Sequence, residues 1–137
     1  MSVPDKDVLD KVLQWLDYAD EDLRLAKHAR TMTSNCPHRL IAYHAQQCVE
    51  KCLKAYLVFR GVDFPYTHNI SRLLELCLDT DWQDTMRDAE ELTPYAITTR
   101  YPGQDEEVSA DEADRAVEVA DKVRADVRQT LAELGVL

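Results

Sequence analysis

This sequence predicts an all-α fold, an antiparallel up-and-down bundle of about five helices, and three observations carry that prediction. Only three glycines and five prolines interrupt 137 residues, so breakers are few and long helices have room to form. Apolar residues recur at three- and four-residue steps over long stretches, the period of a helix with one buried stripe. Tracts of alternating Val, Ile and Thr that would mark strands are missing. Residues 1–137 read as one domain, large enough to bury a hydrophobic core.

The first helix is predicted from about residue 5 to residue 30. Pro4 suits a first turn, Asp5 and Asp7 sit at the positive end of the dipole, and Val8, Val12, Trp15 or Leu16, Ala19, Leu23 and Ala26 form its apolar stripe. Residues 31–37 lead to a second helix that opens at Pro37 and stops at Arg60 and Gly61, with Gly61 as a left-handed cap. Along its middle, Ile41, Ala45, Cys48, Cys52, Ala55 and Tyr56 make a buried stripe. After a loop over residues 62–69, Thr67 or Asn69 can cap a third helix carrying Ile70, Leu73, Leu74 and Leu76. A fourth helix is expected from about residue 83 to residue 100, kinked or split at Pro94 and ended by Tyr101, Pro102 and Gly103. An acidic loop precedes the last helix. There Ser109 and Glu112 form a capping box, and Ala113, Ala116 or Val117, Ala120, Val123, Val127, Leu131 and Leu134 make the buried face.

The 16 basic and 26 acidic side chains give a net charge of −10. Nonspecific nucleic-acid binding depends on neutralising phosphates with Lys and Arg, so this balance argues against RNA as a partner while permitting a basic protein. No apolar run reaches the length of a membrane span, and the opening residues start no signal peptide. A cytoplasmic location without membrane association is the expectation, and the four cysteines read as reduced thiols.

Four constellations could carry chemistry. His44, Cys48 and Cys52 step by four, and Cys36 or Cys77 could complete a zinc site, but no Cys-x-x-Cys pair exists and free buried thiols explain the pattern better. His44, Gln47, Lys51 and Lys54 run along one line of the second helix and could cradle a phosphate or nucleotide. Because Glu50 can pair with Lys54 at i,i+4, a solvated face accounts for that line better on sequence alone. His68, just before the third helix, could help hold an anion or could simply pack against its turn. Arg100 beside Tyr101 could bind an acidic group and stack a ring, although satisfying the helix's last carbonyls is the simpler role. No nucleophile elbow, P-loop or dinucleotide fingerprint is present.

Taken in order, these pieces resemble the HEPN family of prokaryotic helical proteins. The match is carried by the run from His44 through Gln47, Glu50 and Lys51 to Lys54 and Ala55, by the turn Tyr66, Thr67, His68, Asn69, Ile70, and by Ala96, Ile97, Thr98, Thr99, Arg100, Tyr101, Pro102. Trp15 to Ala26 also looks like the family's first helix. The resemblance implies a helical bundle, commonly a homodimer, with a polar groove proposed to bind nucleotides or RNA and often a minimal nucleotidyltransferase as partner in a toxin–antitoxin-like pair. No cofactor is expected, and the cysteine spacing argues against a metal. Mapped onto this chain, the nucleotide-binding candidates are His44, Gln47, Lys51, Lys54, His68, Arg100 and Tyr101. Ribonuclease members carry a late arginine followed four to six residues on by a histidine, and no histidine follows Arg100 here. Arg39 and His44 match that spacing only formally, because five helical residues turn the two side chains apart. No catalytic residue is therefore assigned, and a toxin-like ribonuclease using His44 or His68 with Arg100 is the alternative to a binding module. A purely structural dimer is the third reading.

Overall fold

In the computed structural model, which describes residues 5–96 and 107–137, the helical prediction holds and no strand occurs among the described residues. Helix α1 spans Lys6–Ala29, with the Asp5 side chain accepting from the Asp7 amide at 3.0 Å. Helix α2 spans His38–Arg60, α3 Ile70–Leu76, α4 Trp82–Thr85 and α5 Ala110–Glu133, and a 3-10 segment covers Arg87–Ala96. Helix α2 touches α1, α5, α3 and the 3-10 segment. Every residue from Ala45 to Leu57 except Lys51 is consequently buried. A helix enclosed on nearly all sides is the axis of a bundle, not one of its walls.

The caps explain where the long helices stop. Gly61 adopts a φ of 68°, its amide donates to the Val58 carbonyl, and the Val62 amide reaches back to Leu57. These two bonds satisfy the last carbonyls of α2 in the manner that a left-handed glycine permits. Helix α5 ends the same way at Gly135, with φ 82° and the Val136 amide on the Leu131 carbonyl. Its start is the predicted capping box: the Ser109 hydroxyl accepts from the Glu112 amide at 3.1 Å, and the Glu112 carboxylate accepts from the Ser109 amide at 3.3 Å. Asn69, not Thr67, caps α3 by accepting from the Arg72 amide.

The expected fourth helix is corrected by the structure. In place of one α-helix from about residue 83, a single α-turn gives way to 3-10 turns. Pro94 supplies no amide hydrogen for an α-helical bond, and in an α-helix its ring would crowd the Glu90 carbonyl. The apolar spacing agrees: Met86, Ala89 and Leu92, all buried, recur every three residues, which lines up on a helix of three residues per turn. The Thr93 hydroxyl also accepts from the Ile70 amide at 3.2 Å, fastening the segment to the first turn of α3. Near the other end of α2, the Tyr56 hydroxyl donates to Asp79 at 2.7 Å and accepts from Arg60, while its ring meets Trp82 edge-on at 4.4 Å.

Candidate functional site

The predicted polar line of α2 does not lie on a solvated face, and that expectation is corrected: Gln47, Glu50 and Lys54 are buried. The line faces α1 and the loop that follows α2, and each carboxylate in it collects one lysine and one histidine. On the α1 side, Asp22 accepts from Lys51 Nζ at 2.6 Å and pairs with His44 Nδ1 at 2.8 Å. On the loop side, Glu50 accepts from Lys54 Nζ at 2.7 Å and pairs with His68 Nδ1 at 3.0 Å. Gln46 and Gln47 add two amide donors to the same Glu50 oxygen that meets His68, at 3.0 and 3.2 Å. Each cluster consists of one carboxylate, one lysine and one histidine: α2 supplies His44 and Lys51 to the first and Glu50 and Lys54 to the second, while Asp22 comes from α1 and His68 from the loop.

Electrostatics follows from that inventory. Burial pushes the Glu50 carboxyl up, but the bonds donated by Lys54, His68 and Gln46, together with the Lys54 charge, overcome it and hold its pKa below the usual carboxylate value. An ionised carboxylate only accepts, so the histidine nitrogen facing it must carry a proton. Both His44 and His68 are thereby fixed with Nδ1 protonated, and each keeps Nε2 for something else. The backbone joins in, since Gln46 Nε2 also donates to the His68 carbonyl at 3.2 Å.

Exposure divides the predicted residues into two groups. The His68, His44 and Lys51 side chains are 43%, 25% and 24% exposed. Lys54 is enclosed, with its ammonium 5.5 Å from the Trp15 ring and 5.7 Å from the Phe64 ring, where each aromatic face attracts it. Gln47 stands behind with Glu50. The structure thus brings His44, Gln47, Lys51, Lys54 and His68 into one polar seam, while Arg100 and Tyr101 lie outside the described residues.

Asp22, Gln46 and Glu50 belong to this seam although none is among the residues predicted for the site. Asp22 stands in the middle of the α1 apolar stripe, one residue before Leu23 and three after Ala19, both buried. An acid at that phase of an amphipathic helix was the available signal, since a buried carboxylate needs a cation facing it. Among the described residues, the cysteine thiols make no hydrogen bond to the seam. Cys48 and Cys52 are fully buried, and the hydrogen bond between their thiols, with burial and the nearby Cys52 and Asp22 charges, raises Cys48 well above its usual value. Burial pushes Cys77 up to about 12. A separate depression of about 380 Å³ between the 3-10 segment and α5, lined by Tyr95, Glu112 and Arg115 among others, contains none of the predicted residues.

The HEPN domain family model matches residues 12–130. The protein described as "Putative toxin MJ1304" from Methanocaldococcus jannaschii is 32% identical over 93 residues. That match takes in 61% of this chain and 59% of the relative, so the chain spans less than two thirds of that protein's length. The crystal structure of TT1696 from Thermus thermophilus superposes with a TM-score of 0.75 at 28% identity, covering 87% of this chain and 97% of that one. ST0689, described as an archaeal HEPN homologue, gives a TM-score of 0.70 at 27% identity, with 88% and 97% covered.

Proposed function

The chain belongs to the HEPN domain family, and from that premise we propose that it is a nucleotide-binding or interaction module working beside a minimal nucleotidyltransferase in a two-component, toxin–antitoxin-like pair. One observation carries the reading: His68 stands 43% exposed while a carboxylate with 4% exposure grips its Nδ1. An imidazole secured in this way presents Nε2 in a set direction, and once protonated it donates a charge-assisted bond to a phosphate. His44 and Lys51 offer a second polar edge from α2. Lys54 and Gln47 work from behind, keeping Glu50 in place, and Arg100 and Tyr101 complete the proposed set. The module is proposed to act as a homodimer, and the name of the Methanocaldococcus relative, which calls that protein a toxin, accords with a toxin-like module.

A thermal shift with a panel of nucleotides tests the binding reading. A ligand that binds only the folded state raises the midpoint as its concentration passes the dissociation constant. The parent is expected to shift and a Lys51→Ala/Arg100→Ala variant to shift less. No response to any nucleotide would overturn the binding reading and leave a role through a protein partner, which co-purification with a nucleotidyltransferase tests.

One feature favours the ribonuclease as a second reading. Both histidines keep Nε2 unprotonated when neutral, the form a general base requires. The missing late arginine–histidine pair and the net charge of −10 argue against it. Incubation with RNA decides: cleavage that disappears in both His44→Ala and His68→Ala would establish the enzyme over the binding module.

A further inference from the structure

Tyr66 has no place in the seam described above, yet it stands at its mouth. The loop between α2 and α3 sends Val62 and Phe64 onto the core, but the next aromatic residue, Tyr66, is 91% exposed. Its ring lies 5.4 Å from the His68 ring at an interplanar angle of 72°. The position is set from both sides. Gln46 holds the His68 carbonyl, and the Thr67 hydroxyl accepts from the amide of Asn69, the cap of α3. An aromatic ring left in water forgoes the burial that Phe64 obtains, and a tyrosine ring loses little conformational freedom when a ligand covers it.

We infer that Tyr66 is the stacking platform for the base of a mononucleotide whose phosphate is held at His68. The inference rests on the nucleotide-binding reading of the same site and adds a residue and a ligand class to it. Every base offers a π face to an aromatic side chain, and beside the Tyr66 ring stands His68, whose Nε2 once protonated can donate to one phosphate group. A nucleic-acid chain would need a run of cations along its backbone. The partly exposed basic side chains of the seam are Lys51, His68 and His44, and the two histidines carry charge only when protonated. The ligand assigned here is therefore a nucleoside monophosphate, with its ring on Tyr66 and its phosphate accepting from Nε2 of the protonated His68.

Isothermal titration calorimetry on the parent, Tyr66→Leu and Tyr66→Trp tests this, with AMP, ribose 5-phosphate and a short single-stranded oligoadenylate as the titrants. Tyr66→Leu is expected to weaken AMP roughly 5- to 150-fold, the range that loss of one base–aromatic stack gives. Tyr66→Trp is expected to keep AMP binding, and ribose 5-phosphate to bind all three proteins alike. Circular dichroism confirms that the exposed-site variants fold. AMP binding that survives Tyr66→Leu unchanged overturns the stacking role while leaving the nucleotide-binding reading in place. A parent that binds neither AMP nor ribose 5-phosphate overturns both. An oligoadenylate that binds the parent more tightly than AMP overturns the assignment to a mononucleotide.

Discussion

Glu50 and Lys54 face each other at 2.7 Å with side chains only 4% and 8% exposed, one turn apart inside the bundle. On a solvated helix the same spacing contributes about 0.2–0.5 kcal/mol. Here the removal of one partner strands a buried charge, at a cost of about 3–5 kcal/mol. Lys54→Met is expected to lower the unfolding free energy by about that much in urea denaturation, and adding Glu50→Gln to recover part of it. Equal losses in the single and double variants would show that the stranded charge is not the cause.

The same carboxyl makes stability depend on pH. Its pKa in the fold lies below the ordinary 4.5, so the unfolded chain takes up its proton first as pH falls. Its contribution is complete above the unfolded value and is lost as pH drops through that value to the folded one. The parent should lose stability more steeply than Glu50→Gln from about pH 5 downward. Parallel curves for the two proteins in thermal melts would remove Glu50 as the source.

Both imidazoles should show the same tautomer when neutral. Long-range nitrogen–proton NMR on His44 and His68 is expected to find the proton on Nδ1, facing Asp22 and Glu50 respectively. Glu50→Leu should release that preference at His68 and leave His44 unchanged. A proton found on Nε2 of His68 in the parent contradicts the arrangement.

The start of α5 rests on Ser109. Ser109→Ala removes the acceptor for the Glu112 amide and should cost about 1 kcal/mol. Ser109→Asp, which restores an acceptor, should recover most of the midpoint in a thermal melt.

Thiol chemistry should separate Cys36 from the rest. Cys36 is partly exposed, whereas Cys48, Cys52 and Cys77 are buried. Burial keeps the Cys77 thiol protonated, the Cys52 hydrogen bond together with burial does the same for Cys48, and the thiolate is the reactive form. Mass spectrometry after brief iodoacetamide treatment should find label on Cys36 alone, with the other three labelled only in denaturant.

Much of the fold is legible in the sequence because its signals are local. Gly61, Ser109 with Glu112, and Asn69 each act within a few residues of the helix end they set. The apolar stripes of α1 and α5 point to the right buried faces for the same reason. The 3-10 segment reads as α-helix from its composition, although the step of three from Met86 to Ala89 to Leu92 marks the tighter turn. The site is harder, because i,i+4 spacing of Glu50 and Lys54 is identical for an exposed pair and a buried one. What buries them is distant in sequence: Trp15 from α1 and Phe64 from the loop. One local clue does exist. Cys48, Val49, Cys52, Leu53 and Ala55, all fully buried, surround the pair so closely that little of the helix remains to meet water. The polar line itself is visible in the sequence, and the place of Asp22 within the α1 apolar stripe marks it as buried, but which cations it meets is not legible because they belong to another helix.

Enclosure of α2 fixes one side of the seam, while the other side is carried by the connecting loop. The amides from Ala45 to Leu57 should exchange with solvent only when the whole bundle opens, since no smaller event exposes them. His68 hangs on a connecting loop, tethered to that axle through Glu50 and through Gln46 at its carbonyl. A loop displacement that breaks these two tethers would withdraw an imidazole and its tyrosine neighbour together without disturbing the core. Capture and release at this seam would then be settled by a handful of loop residues, and the bundle's overall stability could change greatly without altering either.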